Sequence, residues 1–481
     1  MQNLWSLTGR GIAVSALALA LTACQSMRGP EPVAQASIPS SYTATATGTS
    51  VAEQGYKDFF ADQRLLQVLD MALNNNRDLR TATLNIQRAQ QAYQITENNQ
   101  LPTIGASGGV LRQDQGNGLG THTRYNVGLG VTAYELDFWG RVRSLKDNAL
   151  DNFLATQSSR DATQIALIGQ VAQAWLNYSF ANANLKLADQ TLKTQLESYN
   201  LNKKRFDVGI DSELPVRQAQ ISVETARNDV ANYKTQVAQA QNLLNLLVGE
   251  QVPSALLPTQ RVTRITKTTA IDAGLPSDLL NNRPDIRTAE YRLSAAGANI
   301  GAAKARLFPS ISLTGNAGYA STDLSDLFKS GSFVWAVGPS IDLPIFDWGT
   351  RQANIKISET DQQIALADYE KSIQSAFREV NDALAVRQNI GDRLAAQKRL
   401  VDATNTTYKL SNARFRAGID NYLTVLDAQR TSYAAEQGLL LLEQANLNNQ
   451  VELYKSLGGG VKANTSDATS QPASSAERKV Q

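Results

Sequence analysis

The chain has 481 residues, 19% of them charged, with a formal net charge of +2 at pH 7. That balance provides no basic field for nucleic acid. A single histidine, His122, reads as a solvated residue of a glycine-rich polar loop and leaves little scope for histidine-based metal or acid–base chemistry. The sole cysteine, Cys24, permits no internal disulfide. No grouping of nucleophile, base and orienting residue marks an enzyme, and no metal site is expected.

The chain begins MQNLWSLTGRGIAVSALALALTACQ. Arg10 supplies a short positive region, and residues 11–23 form an apolar run too short to span a bilayer. Residues 1–23 therefore read as a signal peptide. Its end, Leu21-Thr22-Ala23-Cys24, resembles the lipobox of bacterial lipoproteins. The resemblance implies cleavage before Cys24 and covalent lipid there, an N-acyl chain and an S-diacylglycerol. Gln25, where an Asp would imply inner-membrane retention, implies the outer membrane. An ordinary signal peptide with an incidental cysteine is the alternative. Residues 24–60 are rich in Ser, Thr, Ala and Pro and read as a linker. No later apolar run approaches 18 residues, so any passage through a membrane requires a closed β-barrel.

Residues 62–100 carry a helical pattern without Pro or Gly, and Leu101-Pro102 stops it. Two alternating segments follow. Ile104, Ala106, Gly108 and Val110 share one face, then Tyr125, Val127, Leu129, Val131 and Ala133. Polar or small residues take the other side, the pattern of a tilted transmembrane strand. A soluble sheet with one buried face is the alternative. After ELDFWGRVR comes a long helix from Arg141 to about Phe206, with only Gly169 and no Pro. Ile165, Ile168, Ala172 and Trp175, then Leu185, Ala188, Leu192, Tyr199 and Phe206, step as a coiled-coil seam. A returning helix ends near Gly249.

Nearly all of this is written twice. Trp139 and Trp348, Gly209 and Gly418, and Gln220 and Gln429 are each 209 residues apart. Asp78 and Asp285, and Pro102 and Pro309, are 207 apart. The second copy offers strands over Ile311–Tyr319 and around Phe333, Trp335 and Val337, then a helix over about 350–412. This yields a first repeat over 61–250 with its hairpin at about 103–136 and its helical pair at 141–249. A connector spans 251–275. The second repeat runs over 276–458, with its hairpin at about 309–345 and its helical pair at 349–457. A polar tail closes the chain over 459–481.

The two RFxxGIDxxLxV stretches, LPIFDWGTR, NNRPDIRTAEYRL, FPSISL and the lipobox together resemble the TolC family of outer-membrane efflux channels, in its lipidated OprM-type branch. The resemblance implies an α+β membrane protein. In that family a homotrimer builds a 12-stranded barrel, four strands per protomer, continued by a long periplasmic helical barrel. It implies passive conduction, with a periplasmic membrane-fusion adaptor, an inner-membrane RND transporter and outer-membrane lipid as partners. By the same resemblance, Leu423 and Asp427 narrow the periplasmic end, with Arg430 placed to pair with Asp427. Arg205, Gly209, Arg414 and Gly418 fall in tip loops as candidate adaptor contacts. Pro102, Trp139, Gly140, Pro309, Trp348 and Gly349 mark the passages between barrel and helices, with both tryptophans at the membrane interface. TolC itself joins its tips by an Asp–Tyr bond. The matching positions here are Pro215 and Phe415, so closure rests on apolar contact and second-tip charges. A type I secretion duct and a coiled-coil lipoprotein scaffold are the alternatives.

Overall fold

The computed structural model describes residues 27–30, 32–35, 49–50, 54–114, 120–267, 271–272, 280 and 282–459. The signal peptide, Cys24 and the tail beyond 459 lie outside the described residues. In chain order the main elements are α1 (Gln63–Asn75), α2 (Arg77–Asn98), β1 (Ile104–Asp114), β2 (Thr121–Glu135), α3 (Arg141–Asp207) and α4 (Glu213–Val248). They continue as α5 (Pro284–Ala305), β3 (Ser310–Ser321), β4 (Phe333–Asp342), α6 (Thr350–Arg416) and α7 (Tyr422–Ser456). The helix-to-strand order repeats as the duplication requires, and α3 and α6 are both 67 residues long. Two compact units divide the chain. One takes Leu84–Gln157, Thr288–Lys371 and the described part of Met1–Gln35. The other takes the described parts of Ala36–Thr83, Ser158–Arg287 and Ser372–Gln481.

In the first unit the strands form one antiparallel sheet in the order β1-β2-β3-β4. Its register puts Ala106 opposite Leu129, Leu129 opposite Ala317, and Ala317 opposite Trp335. Directly paired residues point to the same side, so the four apolar sets combine into one continuous face. Ile104, Val110, Leu129, Phe333, Trp335 and Val337 are all exposed on it. The other face is mostly small and polar, with Leu111 and Val334 the larger apolar residues on it. Gly128 and Gly318 are paired there, and a Cβ on Gly318 would lie 2.3 Å from the Val127 carbonyl oxygen. Only glycine permits this approach of the two strands.

The alternation breaks in one place. Between Val131 and Tyr134 the register slips, with Ala133 at φ 53°. Two residues of β2 there oppose one of β3, a bulge that reverses the parity of everything after it. Ala133 therefore leaves the apolar face expected for it, and Tyr134, paired with Leu313, takes its place. His122 lies within β2 opposite Gln113, in a strand where a loop was expected.

In the second unit Phe59, Phe60 and Tyr454 meet as an aromatic cluster, with the Phe59 and Tyr454 ring centroids 4.5 Å apart. Trp175, fully buried, donates its indole N–H to the Leu256 carbonyl at 3.2 Å. Ile165, Ile168, Ala172 and Ala188 of the predicted seam are buried as expected. Phe206 is not: it is exposed at the end of α3.

The helix expected over 62–100 is broken at Asn76, whose ψ of 132° is extended. The break has a use. Asn76 donates Nδ2 to the Leu247 carbonyl at 2.8 Å, capping the end of α4. Its Oδ1 accepts from the Leu79 N–H at 2.9 Å. In the second repeat Arg283 takes the same post, donating to the Ser456 carbonyl at 3.0 Å and to Asp285 and Glu379. Gly249 and Gly458 complete the docking. A Cβ on Gly249 would lie 2.4 Å from the Asn75 carbonyl oxygen, and one on Gly458 would lie 2.6 Å from that of Asn282. Each helical pair thus closes backbone to backbone on the start of its own repeat.

Candidate functional site

The sheet-to-helix turns of the first unit come first. Gly140 and Gly349 adopt φ 71° and 85°, the left-handed region where side chains are costly. Each turn carries an aspartate that caps the helix after it. Asp137 accepts from the Val142 and Arg143 N–H groups at 3.1 and 2.8 Å. Asp347 accepts from the Gly349 and Arg351 N–H groups, both at 3.1 Å. Carboxylates there satisfy orphan amides and oppose the positive helix end. Pro102 follows the turn closing α2, and Pro309 the turn closing α5, so each precedes a strand. Neither can donate to the preceding helix.

The two tryptophans are not equivalent, although the duplication aligns them. Trp139 donates its indole N–H to the Pro309 carbonyl at 2.7 Å and stacks on Phe308 with centroids 4.7 Å apart. Trp348 is 88% exposed, at φ 55°, and touches Phe346 edge-on. The first is a packing residue, and the second presents a free indole to its surroundings.

The helix-to-helix tips belong to the second unit. At the first, Gly209 (φ 77°) ends α3, and the Ile210 N–H returns to the Arg205 carbonyl at 2.9 Å. At the second, Gly418 (φ 75°) ends α6, and the Ile419 N–H returns to the Arg414 carbonyl at 3.0 Å. These are left-handed helix stops. Each loop is then clasped by its own arginine. Arg205 pairs with Asp211 at 2.5 Å, and Arg414 grips Asp420 with two nitrogens at 2.6 and 3.0 Å. The Arg414 guanidinium holds the Asp420 carboxyl below the usual range. Sequence reasoning took the two arginines as docking contacts and missed both aspartates. The signal was present, since RFxxGID occurs in both copies.

Arg205 does more than clasp its loop. Its guanidinium lies 5.2 Å from the ring centroid of Phe415, which belongs to the other hairpin. Phe415 is buried with Ala219, Tyr422, Val425 and Leu426, and its centroid is 5.5 Å from that of Tyr422. Burial pushes the Tyr422 hydroxyl up to about 12, with the neighbouring Tyr408 adding to the rise. The contact joins the hairpins where the family resemblance left an unmatched Pro215 and Phe415. Leu423, Asp427 and Arg430 are exposed on α7, on a flank beside the buried stripe of Tyr422, Val425 and Leu426. Asp427 and Arg430 form no ion pair among the described residues, contrary to the pairing expected from their spacing; as neighbours on an open helix face, both are left to water. Exposed Phe206, Val208, Ile210, Leu214 and Ile419 surround the two loops. The described residues contain no cluster able to hold a metal ion, and no helix long and apolar enough to cross a membrane.

An open sheet with an apolar exposed face and paired helical hairpins closed by clasped tips define a membrane channel subunit of the barrel-and-helix type. The chain matches the outer membrane efflux protein family over residues 68–250 and 275–459, and belongs to it. It is an outer-membrane efflux duct and not an enzyme. It is 44% identical over 428 residues to the probable efflux pump outer membrane protein TtgC of Pseudomonas putida, 88% of each chain. It is 38% identical over 455 residues to the cation efflux system protein CusC of Escherichia coli O157:H7, covering 92% of this chain and 97% of that one. Among solved structures it resembles the open state of the Neisseria gonorrhoeae MtrE outer membrane channel, with a TM-score of 0.84, 37% identity, and coverage of 91% of this chain and 99% of that one.

Proposed function

We propose that three copies of this chain close one 12-stranded barrel and form the exit duct of a tripartite pump, with a periplasmic adaptor and an RND-type inner-membrane transporter as partners. The observation that supports closure is the four-stranded sheet. Its outer strands β1 and β4 have 11 and 10 residues and, among the described residues, pair on one side only, while its apolar face is exposed. In hydrocarbon every backbone N–H and C=O needs a partner. Edges of that length have to pair with further copies, and three copies give an even-stranded barrel of ordinary size. Leu423 and Asp427 form the gate: one narrows the opening with apolar side chains and the other lines it with carboxylates. Arg430 contributes charge beside them. The exposed tips around Gly209 and Gly418 receive the adaptor, while Arg205 and Arg414 fix their shape. Cys24 carries lipid that adds to barrel anchorage. Relatives are named for antibiotic, toluene and cation efflux. That spread fits a passive tube whose pump chooses the cargo.

The test is assembly together with conduction. Purified in detergent, the protein is expected to run as a trimer and to form discrete channels in a planar bilayer. Cys24→Ser is expected to lose lipid by mass spectrometry while some protein still reaches the outer membrane. A monomer that stays soluble without detergent and conducts nothing would overturn the duct.

A further inference from the structure

The matching helices α2 and α5 differ in their small residues. At the offset of 207, Gln90 and Gln94 of α2 correspond to Gly297 and Gly301 of α5. The two glycines clear a path along α5 for the chain's own N-terminal segment. A Cβ on Gly301 would lie 3.1 Å from the Arg28 amide nitrogen and 2.8 Å from Ser144 Oγ, and one on Gly297 would lie 3.5 Å from Arg28 Nε. A bare backbone permits that approach. The Arg28 guanidinium donates to the Ser294 carbonyl at 2.9 Å and to Ser294 Oγ at 2.6 Å. Ser294 Oγ donates in turn to Asp151 of α3 at 2.6 Å, and Asp151 lies 3.8 Å from the guanidinium. Charge-assisted bonds are the strong ones, and these two charged side chains are only 25% and 14% exposed. Further along the segment, the Gln35 N–H donates to Glu370 of α6 at 2.7 Å. All of these residues belong to the first unit.

We propose that this groove is a latch for the segment that follows the lipid, and that it holds the lipid's attachment point at the base of the four-stranded sheet. The inference rests on the reading that Cys24 is lipidated. Helix geometry gives the direction of the segment. Gly301, beside the Arg28 backbone, is about 6 Å along the axis from the end of α5 that leads into β3. Glu370, beside Gln35, is about 30 Å along α6 from the end that follows β4. The segment therefore runs away from the sheet after Arg28. With Arg28 held, Cys24 is confined to within about 14 Å of it, enough to bring the lipid level with the apolar face. With Arg28 released, the next contact is at Gln35, and the reach from there grows to about 40 Å. Ser144 and Asp151 come from the first repeat and the glycines from the second. The groove is complete only when both repeats have folded together.

The test is limited trypsin digestion of the full-length protein in lipid nanodiscs, with mass spectrometry following cleavage after Arg28. Cutting there requires the segment to leave its groove. The bond is expected to be cut about tenfold or more faster in Gly297→Leu, which fills the groove, and in Ser294→Ala, which removes the hydroxyl between Arg28 and Asp151. Far-UV circular dichroism and oligomeric state serve as folding controls, and Ser294→Ala carries the test if Gly297→Leu misfolds. A photo-cross-linking p-benzoylphenylalanine in place of Met27 should react with residues 302–310, between Gly301 and β3. Equal cleavage in wild type and Ser294→Ala, or cross-links confined to the part of α5 before Ser294, would overturn the latch. The fragment ending at Arg28, released in full after denaturation, reports the lipid by its mass. A fragment without lipid would refute the lipid reading, and with it the placing of the lipid, whatever the cleavage rates; equal cleavage with the lipid present would refute the latch alone.

Discussion

Replacing Arg205 with alanine removes a contact between the two hairpins without touching Leu423 or Asp427. The guanidinium is partly shielded, with its side chain 24% exposed, and it lies 5.2 Å from the Phe415 centroid. A cation–π contact in that setting is worth about 1 kcal/mol. If three protomers open together, as a closed ring of helices demands, the effect on the closed-to-open balance is about 3 kcal/mol. That corresponds to about a hundredfold change in the ratio. Arg205→Ala should therefore raise open probability in single-channel recordings from planar bilayers. In cells lacking the native duct, it should admit large antibiotics that the wild-type channel excludes. Arg205→Lys keeps the cation but loses the planar fork, so an intermediate effect is expected. Phe415→Leu should reproduce the phenotype from the other side, although it also costs packing. Asp211→Asn separates the loop clasp from the inter-hairpin contact and should be milder. If Arg205→Ala and Phe415→Leu both leave open probability at the wild-type value, the contact does not hold the tip closed and the reasoning fails.

The remaining expectations concern the gate, the glycines and acid. Leu423→Ala should widen the constriction and raise conductance, whereas Asp427→Ala should mainly weaken cation selectivity and divalent block, both measured in bilayers. Arg430→Ala should leave tip stability unchanged, since no ion pair with Asp427 is there to be lost; a marked fall in melting temperature would contradict that placement. Gly249→Ala combines a left-handed φ of 83° with a Cβ placed 2.4 Å from the Asn75 carbonyl oxygen. It should cost more than about 3 kcal/mol in denaturant unfolding, against about 1 kcal/mol for Gly209→Ala, where the left-handed strain stands alone. Equal costs would show that the end of α4 does not dock tightly. Asp420 has its folded pKa lowered by Arg414. Its contribution is therefore present above the ordinary carboxylate value of about 3.9 and lost as pH falls through the folded value. Tip loosening in acid, seen as rising conductance below about pH 4, should be absent in Asp420→Asn, which has already lost the charge.

Local pattern determined a great deal. Period-two alternation located all four strands, and long stretches without proline located α3 and α6, because side-chain direction follows directly from backbone geometry. Repetition at offsets of 209 and 207 announced the duplicated architecture, and the glycines at 209, 249, 418 and 458 marked real helix ends. What the pattern could not carry was any relation between distant positions. The bulge at Ala133 depends on how β2 meets β3, and it moved Tyr134 onto the apolar face. Asn76 looked like a helix residue until the end of α4, some 170 positions later, presented the Leu247 carbonyl to it. Trp139 and Trp348 occupy matching places in the repeat, yet only Trp139 finds Phe308 and the Pro309 carbonyl beside it. Arg205 and Phe415 are 210 positions apart, and neither residue names the other. Sequence determined which segments form strands, helices and turns, because those are local free energies. Tertiary structure alone decided which side chains became partners, because a contact energy exists only once packing has brought both groups out of water and within reach.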